Sequence, residues 1–82
     1  MEPVMQRFRV NVDLKRYEKA VKNLARGDKE LGEANPELRE AYFSEALTLI
    51  KKHRLFKQAM IFYSHSPELT KRLNLAFGEY LE

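Results

Sequence analysis

The apolar residues between Glu37 and Tyr63 fall into two sets that are out of phase with each other. The first set is Phe43, Ala46, Leu47 and Ile50, and the second is Leu55, Phe56, Ala59, Met60 and Tyr63. One straight helix would turn these sets to different sides, whereas two helices joined by a tight turn near residues 53–54 would bury both. We therefore predict helices near residues 37–52 and 55–64. A single long helix is the alternative.

Two further helices are predicted on either side of this pair. In a helix near residues 13–26, Leu14, Tyr17, Val21 and Leu24 would share one face. Asp13 or Asn11 would cap it, and Gly27 would close it in the left-handed conformation. A last helix near residues 67–81 begins with Ser66 as its cap, followed by Pro67 and the acidic Glu68. Its predicted buried face is Leu69, Leu73, Ala76, Phe77 and Tyr80.

The remaining stretches are predicted to be less regular. A weak turn is expected around residues 3–8, and a loop near residues 27–36, where two glycines and mixed charges occur. The predicted fold class is therefore all-α. We expect antiparallel helical hairpins that form one domain over residues 1–82, a tetratricopeptide-like α-solenoid segment of about four helices. The predicted packing positions are Tyr17, Leu24, Leu47, Ile50, Phe56, Ala59, Tyr63 and Phe77.

No residue pattern in the chain is typical of catalysis. The 82 residues include no cysteine and only two histidines, whereas a zinc site needs three or four converging ligands. The serines lack a glycine-flanked elbow, and no glycine-rich loop could hold a phosphate. We therefore expect no enzyme activity, no catalytic residue, no metal, no cofactor and no small-molecule substrate. The apolar runs are also too short to cross a membrane, so no membrane partner is expected.

A row of basic residues follows the first clear helix. Lys15, Lys19, Lys22 and Arg26 recur at steps of four, three and four, and the chain has a formal net charge of +3. Such a row could contact RNA phosphates or an acidic partner protein. A solvated helix face is the simpler interpretation, because every amphipathic surface helix presents charges outward. An RNA-binding module and a free-standing peptide-binding domain both remain alternatives to a scaffold.

Several stretches resemble the helical region of the largest Elongator subunit, the IKAP family. They are Arg7 with Phe8, LKRYEKA at residues 14–20, LTLIKKH at 47–53, residues 55–59 and 62–63, and LAFGEYL at 75–81. These stretches occur in the order of the family and cover most of the chain. Residues 27–42 form a longer connection than is usual in the family. The family protein is very large, so the chain could be a fragment, an excised domain or a short gene product.

The resemblance implies a scaffold. The largest Elongator subunit dimerises and organises a complex whose catalytic partner modifies wobble uridines of transfer RNA. The radical and acetyl-CoA chemistry belongs to that partner, and the dimerisation and principal RNA-contacting regions of the family do not map onto the matched stretches. The expected partners are other Elongator subunits or adjacent solenoid repeats, with transfer RNA only indirect. The expected location is the cytoplasm, with the nucleus as the alternative.

Overall fold

The chain folds into five α-helices in a computed structural model, which describes residues 3–81 and their side chains up to residue 79. The helices are α1 (Pro3–Asp13), α2 (Tyr17–Gly27), α3 (Pro36–His53), α4 (Phe56–Phe62) and α5 (Pro67–Leu81). A π-helical turn, Asp28–Gly32, extends α2. Within the described residues there is no strand, so the predicted all-α class is confirmed.

The first helical hairpin differs from the prediction. The segment expected to be a weak turn is the complete helix α1, and Asp13 is its last residue rather than a cap of α2. Lys15 has a φ of 60°, and the Arg16 N–H donates to the Asn11 carbonyl at 2.8 Å. This left-handed closure usually uses glycine, so a lysine there gave no sign that a helix ends. Leu14, expected on the apolar face, lies in the turn and is 57% exposed.

The break between α3 and α4 lies where the change of phase predicted it. Arg54 has a φ of 57°, and the Leu55 N–H donates to the Ile50 carbonyl at 2.9 Å. This bond ends α3 in the same way that the Lys15 turn ends α1. At the other end of α3, the Asn35 side chain accepts a hydrogen bond from the Leu38 N–H at 3.2 Å. The predicted asparagine cap and the following proline therefore begin α3 as expected.

The predicted loop near residues 27–36 is wrong over its first half. Gly27 has a φ of −60° and continues α2 into the π turn rather than closing it in the left-handed conformation. A Cβ atom on Gly27 would lie 2.8 Å from Cγ1 of Val4 and 3.1 Å from Cε2 of Tyr42. Glycine is therefore needed here for close packing, because α1 and α3 both approach the α2 backbone at this point.

Helix α2 lies at the centre of the packing. It contacts α1, α3 and α4, and α4 in turn contacts α5. The molecule measures 37 × 30 × 18 Å, so its thinnest dimension is about two helices across. The core consists of Phe8, Ala20, Val21, Leu24, Ala25, Tyr42, Phe43, Ala46, Leu49, Ile50, Phe56, Ala59, Tyr63, Leu69, Leu73 and Ala76. The predicted burial of Tyr80 lies outside the described side chains.

Phe43 connects the core to the surface of α5. Its ring meets Tyr63 edge-on at 5.5 Å, and the Arg72 guanidinium lies 4.6 Å above its centre. Glu40 holds that guanidinium through both carboxylate oxygens. Among the described residues, no helix is both long and apolar enough to cross a bilayer.

The Glu40–Arg72 pair gives a testable pH dependence. Hydrogen bonds from Arg72 lower the pKa of Glu40 below its usual value of 4.5. The pair therefore stabilises the fold above that pH, and the contribution is lost as pH falls through the lowered pKa. In a carbon-13 NMR titration of the Glu40 carboxyl, we expect the Arg72→Gln variant to move the midpoint up towards 4.5. An equal midpoint in both proteins would contradict this.

Candidate functional site

A buried ion pair joins the π turn to α3. Asp28 is only 1% exposed. The Arg39 Nε donates to Oδ1 of Asp28 at 2.9 Å, and Nη2 donates to Oδ2 at 3.3 Å. A carboxylate held by a guanidinium in this two-pronged way is a strong, directional contact. The hydrogen bond with Asp28 raises the pKa of Arg39 above its usual value.

His65 joins the same carboxylate from the turn between α4 and α5. Its Nε2 lies 2.8 Å from Oδ2 of Asp28. Because an ionised carboxylate can only accept, this ring nitrogen carries the hydrogen. Arg39 also reaches Glu68 of α5 at 3.4 Å. The network of Asp28, Arg39 and His65 therefore ties together three parts of the chain that are distant in sequence.

Asp28 is the first residue of the π turn. A π turn adds one residue to the ordinary helical repeat and so changes the direction in which the following side chains point. Gly32 completes this turn. A Cβ atom at Gly32 would lie 2.2 Å from Oδ1 of Asp28 and 3.0 Å from Nε of Arg39. The carboxylate therefore occupies the space that any side chain at residue 32 would need.

The Asp28–His65 pair is also bound by an arginine. Arg39 engages both carboxylate oxygens of Asp28. Within the described residues, no hydroxyl hydrogen-bonds to His65, and the Ser66 Oγ accepts from the Leu69 N–H at 3.3 Å to begin α5. Residues 3–79 also contain no group of three or more histidine, aspartate or glutamate side chains placed to hold a metal.

Tyr63 lies next to this network with its hydroxyl unsatisfied. The side chain is fully buried, and its oxygen has no hydrogen-bond partner among the described residues. Burial raises the pKa of Tyr63, and the negative charge of Asp28 adds to the effect. The hydroxyl is therefore neutral, and its burial opposes folding.

Removing that hydroxyl is expected to stabilise the protein. A hydroxyl buried without a hydrogen bond costs about 1–3 kcal/mol in proteins. We therefore expect Tyr63→Phe to raise the free energy of unfolding by about 1 kcal/mol, measured by urea denaturation. The ring contacts with Phe43 remain, so packing is unchanged. A loss of stability would show instead that the hydroxyl is hydrogen-bonded in solution.

The four basic residues singled out in the sequence separate into two surface sites. Lys15 lies in the turn before α2, and the other three are exposed on α2 itself. Lys15 and Lys19 line an open groove of about 580 Å³, together with Arg16, Tyr17, Glu18, His53 and Leu55. Lys22 and Arg26 line a cleft of about 160 Å³, which we call the basic cleft. Its lining is Lys22, Ala25, Arg26, Lys29, Phe62 and His65.

The predicted packing positions differ in how far they are covered. Leu24, Ile50, Phe56, Ala59 and Tyr63 are buried, and Tyr17, Leu47 and Phe77 are half-buried. Tyr17 stacks on His53 with ring centres 3.7 Å apart and planes 11° apart. This stack joins the start of α2 to the end of α3, and Phe77 meets Phe56 at 5.0 Å.

The network of Asp28, Arg39 and His65 was not predicted from the sequence. Asp28 and Arg39 are 11 residues apart, and Asp28 and His65 are 37 apart. Neither separation matches a helical neighbour spacing, so no periodicity connects these residues. The available signal was Gly32, four residues after Asp28, because the missing side chain leaves room for the carboxylate.

Curated relatives match almost the whole length of the chain. The chain is 38% identical over 81 residues to Elongator complex protein 1 of Oryctolagus cuniculus, covering 99% of this chain. The Mus musculus protein is 37% identical over 81 residues, again 99% of this chain. The chain is homologous to a segment of Elongator complex protein 1. The resemblance to the largest Elongator subunit is thereby confirmed.

The match to Elongator complex protein 1 covers a small part of that protein. The chain spans 5% of the rabbit and mouse proteins, and 6% of the Xenopus laevis relative, to which it is 33% identical over 81 residues. Neither a protein-family model nor a solved structure matches the chain. The similarity runs through α1 to α5 and includes the residues of the π turn.

Proposed function

We propose that this chain is a non-catalytic scaffold segment of an Elongator-type complex, the assembly that modifies wobble uridines of transfer RNA. The observation that carries the proposal is the similarity to Elongator complex protein 1 along 99% of the chain. The proposed partners are other Elongator subunits or adjacent solenoid repeats, in the cytoplasm or the nucleus. Transfer RNA would be reached only through the complex.

The shape of the molecule supports a scaffold role. A slab about two helices thick has a large surface for its volume, and stacked helical pairs extend such a surface in one direction. The buried side chains supply the stability, since each large apolar side chain buried contributes about 1.5–3 kcal/mol before the loss of chain entropy. The Asp28 network adds hydrogen bonds between the three segments that carry Asp28, Arg39 and His65.

Purification of the tagged chain from the cells that make it tests the proposal. Quantitative mass spectrometry is expected to find the catalytic Elongator subunit enriched with the wild-type chain. Leu24→Asp places a charge in the core, so this variant is expected to unfold and lose the enrichment. Absence of every Elongator subunit from the wild-type sample would overturn the proposed function.

A further inference from the structure

The basic cleft combines an apolar interior with a cationic edge. Ala25 and Phe62 form the apolar part, and Lys22, Arg26 and Lys29 surround it. No acidic residue lines the cleft.

The cations at this cleft are unpaired within the described part of the chain. The arginines that the fold itself uses have carboxylate partners: Arg39 pairs with Asp28 and Glu68, and Arg72 pairs with Glu40. Lys22, Arg26 and Lys29 make no such ion pair among residues 3–79. These three cations are therefore available to a carboxylate of a partner beside an apolar surface.

One wall of the cleft is fixed by the Asp28 network. His65 forms one wall, and its Nε2 is fixed by Asp28, which Arg39 holds in turn. Lys29 belongs to the π turn that carries Asp28. A binding surface that is already ordered loses less conformational freedom when a partner binds, so more of the interaction energy appears as affinity.

We propose that the basic cleft binds an acidic amphipathic helix of a partner protein. The apolar face of that helix would cover Phe62 and Ala25. Its carboxylates would pair with Lys22 and Arg26 of α2 and with Lys29 of the π turn, which recur at steps of four and three. Acidic side chains on a helix recur at the same steps, so two packed helices can bring these charges into register.

An acidic helix fits this site better than a nucleic acid does. Single-stranded nucleic acid is bound by cations together with exposed aromatic faces on which bases stack. Phe62 is half-buried, so part of its ring is closed to a stacking base. The proposal rests on the scaffold function and names the chemistry of one partner of that scaffold.

Fluorescence anisotropy with a designed peptide tests the cleft. The probe is a labelled helical peptide of about 15 residues, with leucines along one face and glutamates on both sides of them. A scrambled peptide of the same composition is the control for charge alone. We expect the wild-type chain to bind the amphipathic peptide more tightly than the scrambled one, and the affinity to fall as salt is added.

Two variants with equal charge changes locate the binding site. Lys22→Glu with Arg26→Glu and Lys29→Glu is expected to weaken binding at least about tenfold, because three attractive pairs become repulsive. Lys51→Glu with Lys52→Glu and Lys57→Glu alters exposed residues outside the cleft and is expected to retain the affinity. Phe62→Ser is expected to weaken binding without changing the net charge. Circular dichroism confirms that each variant is folded.

Several results would overturn the proposal. One is failure of the wild-type chain to distinguish the amphipathic peptide from its scrambled control. Another is an equal loss in the two charge variants, which would indicate a general charge effect. A single-stranded RNA probe that binds more tightly than the amphipathic peptide, and loses affinity in the cleft charge variant, would assign the site to nucleic acid. Self-association abolished by the cleft variant in sedimentation would assign it to a second copy of the chain. None of these outcomes bears on whether Elongator subunits co-purify, so the scaffold function is tested separately.

Discussion

The Arg39→Met variant is expected to lose about 3–5 kcal/mol of unfolding free energy. Methionine keeps much of the aliphatic length of arginine but cannot pair with Asp28, whose carboxylate is 1% exposed. A buried carboxylate without its cation is strongly unfavourable, and the hydrogen bond from His65 would be the one contact of the network left to it. Small domains have about 5 kcal/mol of total stability, so the variant should be close to unfolded. Urea denaturation followed by circular dichroism measures the change.

Two further variants separate the buried pair from the surface contact of Arg39. Glu68→Gln removes the other carboxylate near Arg39. The Glu68 side chain is 64% exposed, so this variant should change the free energy of unfolding by less than about 1 kcal/mol. Asp28→Asn, added to Arg39→Met, removes the uncompensated charge and should recover part of the loss. If Arg39→Met were no more destabilising than Glu68→Gln, the Asp28 network would have no special role in stability.

Substitution by alanine is expected to have opposite effects on the free energy of unfolding at two glycines. Gly32→Ala places a Cβ atom 2.2 Å from Oδ1 and 2.8 Å from Cγ of Asp28, so the carboxylate must move away from Arg39. We expect a loss of about 3 kcal/mol, from overpacking and from the disturbed ion pair together. At Gly78, on the exposed side of α5, a Cβ atom meets nothing within 4 Å. Gly78→Ala should therefore add up to about 1 kcal/mol through helix propensity alone.

The two glycine variants are controls for each other. Both replace glycine by alanine within a helical segment, so intrinsic propensity predicts a gain at both positions. The difference between their thermal unfolding midpoints therefore reports the close approach of Asp28 to Gly32. Stabilisation of both variants would show that the carboxylate can move at little cost.

The helices of the chain were largely predictable because their signals are local. Asn35 and Pro36 begin α3, and the change of apolar phase places its end beside Arg54. Helix α1 was underestimated, since the left-handed turn that ends it uses Lys15 where glycine would have been recognised. The sequence indicated only part of the basic cleft. Lys22 and Arg26 belong to the basic cleft, but Phe62 and His65 come to it from distant parts of the chain.

The sequence by itself determined that the chain is helical, where most of its helices begin and end, and which protein it resembles. These properties depend on neighbouring residues, on repeats of three and four positions, and on runs of matching residues. Only the tertiary structure decided that Asp28 is buried against Arg39 and His65, and that unpaired cations border an apolar cleft. Ion pairs between distant residues leave no periodic trace in a sequence, because a charged side chain looks the same whether it meets water or a buried partner.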